Sequence, residues 1–194
     1  MKIVYIHGAN ATSESFNYIR QKIGGESILI NYDSSNGFEN NLKLIKKQLG
    51  RNTQLFFVAH SLGGIYALHL ANDLSSQVMG GVTISTPYGG AEIADLAKYF
   101  LPFNKLMRDI STSSWVINEV KSMKINHPWT NVVTVRGKNP WMVEPNDGVV
   151  TIASQEYHSG DMELVEVDYN HYEVMMSDLV VDIIKNRMEK LSES

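Results

Sequence analysis

Short runs rich in branched and aromatic residues alternate along this chain with longer stretches in which apolar side chains return every three or four positions. The short runs fall at residues 2–6, 27–32, 54–58, 80–84, 131–135 and 163–167 and read as six strands. Helical spacing recurs over 14–23, over 38–49, from 62 to about 74 and from about 174 to 191. Strands alternating with helices predict an α/β fold, a mainly parallel sheet with helices on both faces. Right-handed crossovers in the order 2-1-3-4-5-6 would set strands 1 and 3 side by side, and their C-terminal ends would open the crevice where ligands bind.

One connection is too long for this scheme, since about 40 residues separate strands 4 and 5 where a crossover needs ~10–15. Within it Ile93, Leu96, Ala97, Phe100 and Leu101 recur at helical spacing, followed by Leu106, Met107 and Ile110 and then Trp115, Val116 and Val120. Residues 91–126 therefore read as an insertion of two or three short helices. With 194 residues in all, the chain is expected to form one domain, 1–194, carrying that insertion.

Candidate chemistry sits at the expected crevice. The third strand ends in Ala59-His60-Ser61-Leu62-Gly63-Gly64 and passes directly into a helix. A serine on so sharp a strand-to-helix turn has its hydroxyl pushed out and its backbone strained, and the residues two before and two after it must be small. Ala59 and Gly63 meet that need, so Ser61 is the candidate nucleophile. The amide of Leu62, at the start of the helix, is placed to donate to a developing oxyanion. The loop after strand 1, His7-Gly8-Ala9-Asn10, lies beside this turn; there the Ala9 amide is the second expected donor, with Asn10 as fallback. Neither His60 nor His69 is expected to be the base, His60 being more suited to supporting the loop.

A serine nucleophile also needs a base and a carboxylate to orient it. His171 follows strand 6 on the same edge of the sheet as Ser61. His158 and His127 precede strands and fall at the opposite edge. The carboxylate is expected after strand 5, where Asp147 in Asn146-Asp147-Gly148-Val149-Val150 is preferred; Glu144 and Asp168 are its rivals.

Composition narrows the alternatives. Apolar residues make up 43% and charged residues 20%, as in ordinary soluble globules, and the formal net charge of −4 offers no field for nucleic acid. The absence of cysteine removes disulfides and thiolate chemistry. No apolar run reaches the ~20 residues of a membrane span, and the N-terminal run is too short for a secretory signal, so a cytoplasmic location is expected unless a leader has been removed.

Four segments in this order resemble the α/β-hydrolase superfamily, in particular its small lipases and esterases. They are His7-Gly8-Ala9, the Ala59–Gly64 serine motif, Asn146-Asp147-Gly148-Val149-Val150 and Asn170-His171-Tyr172-Glu173; Ser85-Thr86-Pro87-Tyr88-Gly89-Gly90 also resembles a turn seen in lipases. The resemblance implies a Ser61–Asp147–His171 triad that hydrolyses small-molecule or lipid esters through an acyl-enzyme, with no metal or organic cofactor. It also implies that residues 91–126 form a lid, with Asn10, Tyr88, Phe103, Met107 and Trp115 as substrate-binding residues. The superfamily includes acyltransferases and thioesterases with the same triad, and non-catalytic binding proteins.

Overall fold

The computed structural model describes residues 1–50, 53–92, 94, 95 and 104–192. Its strands are β1 (Lys2–Ile6), β2 (Ser27–Ile30), β3 (Leu55–His60), β4 (Val78–Ile84), β5 (Trp129–Thr134) and β6 (Glu163–Val167). They pair in one six-stranded sheet of order β2-β1-β3-β4-β5-β6. Every pairing is parallel, as the sequence periodicity predicts. The described helices are α1 (Asn17–Ile23), α2 (Phe38–Gln48), α3 (Leu62–Asp73), α4 (Lys105–Asp109), α5 (Trp115–Ser122), α6 (Ile152–Gln155) and α7 (Asp178–Ser192).

β1 from Ile3 to Ile6 and β3 from Leu55 to Ala59 are continuous apolar runs because both of their faces are covered. Val4, Ile6, Leu55, Phe57 and Ala59 point into one core with α2, α3 and α5, while Ile3, Tyr5, Phe56 and Val58 point into the other with α1 and α7. α3 lies deepest: Leu62 through Ala71 are all buried. Such a helix has no amphipathic face, so burial rather than periodicity marks it.

β2 to β5 shift by one or two residues at their ends, and the first and last helices differ more. The first helix begins as a 3-10 turn, Ser13–Phe16, capped by Thr12. The last does not start at 174. Residues Glu173–Met176 make one 3-10 turn, Ser177 is extended at φ −93°, ψ 126°, and its hydroxyl accepts from the Val180 amide at 3.4 Å, so a serine cap starts α7 a turn later. The four-residue α6 leaves no mark in the periodicity. Of the insertion, α4 and α5 are helices as expected, while the stretch marked by Ile93, Leu96, Ala97, Phe100 and Leu101 lies outside the described residues, as does Phe103. The neck of the insertion is closed by the Ala91 amide, which donates to the Ile110 carbonyl at 2.8 Å. Among the described residues no helix is long and apolar enough to cross a membrane.

Candidate active site

Between the end of β3 at His60 and the start of α3 at Leu62 the chain reverses on Ser61 alone. Ser61 has φ 53° and ψ −124°, a conformation that costs a residue with a side chain on the order of 1–3 kcal/mol. The surroundings enforce it. Its amide donates to the Ile84 carbonyl at 2.8 Å, and its carbonyl accepts from the Gly64 amide at 2.9 Å. A Cβ on Gly63 would stand 2.1 Å from the Ile6 carbonyl oxygen and 2.7 Å from that of His7. Smallness at position 63 is thus demanded by the end of β1.

The loop after β1 closes on this turn. A Cβ on Gly8 would lie 3.1 Å from both the Ser61 Cβ and the His60 Nδ1, so a side chain there would push the two loops apart by a few tenths of an ångström, on the order of the shortfall from ordinary contact. His7 anchors the loop from behind: its ring stacks on Tyr32 at 4.2 Å, and the Tyr32 hydroxyl donates to the His7 carbonyl at 2.7 Å. Among the described residues the amides of Ala9 and Leu62 have no acceptor. The Asn10 amide, the fallback donor, is committed to the Ser34 hydroxyl at 3.0 Å.

Asp147 and His171 meet where the loops after β5 and β6 converge. His171 Nδ1 lies 2.8 Å from Asp147 Oδ2, and both residues are buried. The carboxylate is surrounded by donors. Oδ1 accepts from the Val149 and Val150 amides at 2.9 and 2.8 Å, and Oδ2 accepts from the Thr134 hydroxyl at 2.6 Å and Gln155 Nε2 at 3.3 Å. Burial by itself would raise the pKa of this carboxyl, but the hydrogen bond and charge of His171, with the Thr134 and Val150 bonds, overcome that and hold it below the ordinary aspartate value. Ionised Asp147 accepts only, so Nδ1 of His171 carries the proton and Nε2 is left free. The rivals are exposed: neither Glu144 nor Asp168 is buried at this junction.

The backbone of His171 is held on both sides. Its amide donates to the Asp147 carbonyl at 3.1 Å, and its carbonyl accepts from His60 Nε2 at 2.9 Å. His60 therefore links the serine turn to the histidine loop. Burial, then the neighbouring His171, push the His60 pKa down to about 3, so this link is a neutral imidazole with its proton on Nε2. The remaining histidines serve elsewhere. His158 Nε2 bonds the Val120 carbonyl at 2.9 Å, His127 Nε2 lies 3.2 Å from the Ser75 hydroxyl, and His69 Nδ1 lies 3.9 Å from Glu119.

Ser61, His171, Ala9, Asn10, Leu62 and Met107 all line one groove of about 460 Å³, within the ~300–1,000 Å³ of small-molecule sites. Leu106, Met107 and Ile110 of the insertion form one wall; Val149, Val150, Tyr172, Met175 and Met176 come from the loops around Asp147 and His171. Among the described residues that line it there is no Asp, Glu, Lys or Arg.

Two expected substrate-binding residues lie elsewhere. Tyr88 is fully buried beneath the end of β4, its hydroxyl 2.5 Å from the Thr83 hydroxyl and its ring edge-on to His158. The Gly89 amide donates to the Ser154 carbonyl at 2.9 Å, holding the turn against α6 with Tyr88 inward. Trp115 opens α5, whose Val116, Ile117 and Val120 are buried, and falls on its outer side at 53% exposure, edge-on to Phe38. Neither side chain reaches the groove.

Thr134 and Gln155 belong to the site without any signal in the sequence, and Ser85, which opens the lipase-like turn noted above, joins them. The Ser85 hydroxyl lies 2.8 Å from that of Thr134, which bonds Asp147 in turn. Thr134 stands where strand alternation simply continues, and Gln155 is in a stretch without period; only three-dimensional proximity to Asp147 marks them. Among the described residues no group of three or more His, Asp or Glu is placed to hold a metal ion.

No protein-family model and no curated protein matches the sequence. Solved structures do match the fold. A metagenomic carboxyl esterase superposes with a TM-score of 0.73 at 15% identity, covering 96% of this chain and 70% of its own. An alpha/beta superfamily hydrolase from Oenococcus oeni gives 0.66 at 14%, covering 99% and 93%. The mature lipase of Bacillus licheniformis gives 0.65 at 17%, covering 98% and 91%. With the strand order, the all-parallel sheet and the turn at Ser61, these superpositions give the chain the α/β-hydrolase fold.

Proposed function

We propose that this protein is a serine hydrolase that cleaves carboxylic esters of uncharged, apolar substrates through an acyl-enzyme. The observation that carries the proposal is that the strained Ser61 and the His171 held by Asp147 open onto one apolar groove. Ser61 Oγ attacks the ester carbonyl as His171 Nε2 takes its proton, and Asp147 stabilises the imidazolium. The oxyanion is met by the amides of Ala9 and Leu62, the latter at the start of α3 where the helix dipole adds to the stabilisation. His171 then protonates the leaving alcohol. Water attacks the acyl-enzyme with His171 again as base, releasing the carboxylic acid and restoring Ser61. Among the described residues the groove carries no charged side chain, which favours an acyl or alcohol portion that carries none. The esterase and lipase neighbours support the same reaction class.

The test is hydrolysis of p-nitrophenyl esters of rising acyl length by the full chain and by Ser61→Ala. Hydrolysis by the parent, with Ser61→Ala folded and slower by ~10⁴–10⁶, is expected. Comparable rates in the two would remove Ser61 from the reaction.

A further inference from the structure

Gln155 is fully buried and ends α6, the short helix that folds back from the Asp147 loop onto β5. Its carboxamide bonds both polar groups of the Thr134 backbone: the Thr134 amide donates to Oε1 at 2.9 Å, and Nε2 donates to the Thr134 carbonyl at 3.1 Å. This pair fixes the amide orientation, because the flipped form would set NH₂ against N–H and carbonyl against carbonyl. Nε2 must then also face Asp147 Oδ2, which stands 3.3 Å away. The Gln155 backbone is fixed as well, since its carbonyl accepts from Asn131 Nδ2 at 2.8 Å and its amide donates to the Thr151 carbonyl at 3.1 Å. Among the described side chains, only Gln155 and that of Thr134 itself join the last residue of β5 to the Asp147 carboxylate.

We infer that Gln155 is a positioning residue for the triad, setting the Asp147 carboxylate against the end of β5 so that Oδ2 presents to His171. The inference rests on the Ser61–Asp147–His171 reading above. Glutamine meets a requirement that its closest isostere cannot. Ionised glutamate has no hydrogen for the Thr134 carbonyl and would place a second negative charge beside Oδ2; its proton-bearing form would restore one donor.

The experiment compares Gln155→Glu and Gln155→Met with the parent and with Ser61→Ala, measuring kcat and KM for p-nitrophenyl butyrate from pH 5 to 8, and Tm. Gln155→Glu is expected to lower kcat by roughly 10–100-fold at pH 8, the scale on which small misplacements act, with KM within about twofold. Its kcat relative to the parent is expected to rise about fivefold or more towards pH 5, as the introduced carboxyl takes up a proton and regains a donor. A purely structural role would lower Tm and leave that ratio flat, and a flat ratio overturns the inference. Should Gln155→Glu fail to fold, Gln155→Met decides, since it keeps length and volume without charge: a kcat lowered about tenfold at unchanged KM supports positioning, and a parental kcat overturns it. If Ser61→Ala keeps parental activity, the triad reading itself has failed; if Ser61→Ala is inactive and the Gln155 ratio is flat, only the role of Gln155 has.

Discussion

The two walls of the groove are built by different means. On the Asp147–His171 side the sheet edge dictates geometry: five hydrogen bonds converge on one buried carboxylate, and the His171 backbone is bonded on both sides. On the insertion side, Leu106, Met107 and Ile110 present apolar surface from a five-residue helix and the residue that follows it. That helix is held by Asp109, whose carboxylate accepts from the Phe38 amide at 2.7 Å, and by Ser114, whose hydroxyl donates to the Asp109 carbonyl at 2.6 Å. Directional bonds fix Asp147 and His171, whereas non-directional packing shapes the facing side of the groove. Substitutions on the first wall should therefore act on kcat, and those on the second on KM and chain-length preference.

The sharpest break in that contrast is Asp147→Asn. The amide keeps the shape of the carboxylate but can donate, so the Nδ1–H tautomer of His171 is no longer enforced. A kcat loss of ~10⁴ is expected, the scale of the same aspartate-to-asparagine change in serine proteases that use this triad, with Glu144→Gln and Asp168→Asn close to the parent. Steady-state kinetics on the three variants checks it, and a crippling Asp168→Asn beside a near-silent Asp147→Asn would reverse the assignment.

A second effect concerns acid stability of the Asp147–His171 wall. His60 is neutral in the fold with its pKa pushed to about 3, mainly by burial, while the unfolded chain protonates near the free-histidine value of ~6.5. Between those values the unfolded state binds more protons, so stability is full above about 6.5 and falls as pH drops towards 3, at up to ~1.4 kcal/mol per unit. Asp147, with its pKa depressed, adds a further loss below the ordinary aspartate value of ~3.9. Urea midpoints between pH 7.5 and 4.5 should decline in the parent and less steeply in His60→Gln, which retains a donor for the His171 carbonyl but does not titrate. Equal slopes would show that His60 is not the group responsible.

The smallest effect belongs to the other wall. Met107→Ala removes part of the apolar lining and should weaken long-chain esters by about 1 kcal/mol, roughly fivefold in KM, leaving short-chain esters and kcat nearly unchanged. A kcat loss equal to the KM change would show that the insertion also positions the reacting groups.

The same division explains how much can be read from the chain. A parallel strand buried on both faces leaves a continuous apolar run, so β1 is legible to the residue; β6, an edge strand, is marked instead by Leu164, Val165 and Val167 beside its glutamates, and the strand order follows from handedness. Ser61, Asp147 and His171 sit on loops at strand C-termini, where position relative to the sheet can be inferred without side-chain detail. Gln155 and Thr134 act through side-chain bonds that no periodic pattern records, and nothing in the sequence marks them. Tyr88 and Trp115 depart from expectation because an aromatic residue near a site has no period to say which way it faces; a turn bonded to Ser154 takes one inward and the first position of α5 takes the other outward.

Whether Ser61 is the nucleophile is decided by fluorophosphonate labelling followed by peptide mass spectrometry. One adduct is expected, on Ser61, formed stoichiometrically by the parent, absent in Ser61→Ala and formed far more slowly by folded His171→Gln. An adduct on another residue, or an unlabelled Ser61 in protein that still hydrolyses esters, would contradict the assignment of Ser61, Asp147 and His171 as the reacting groups.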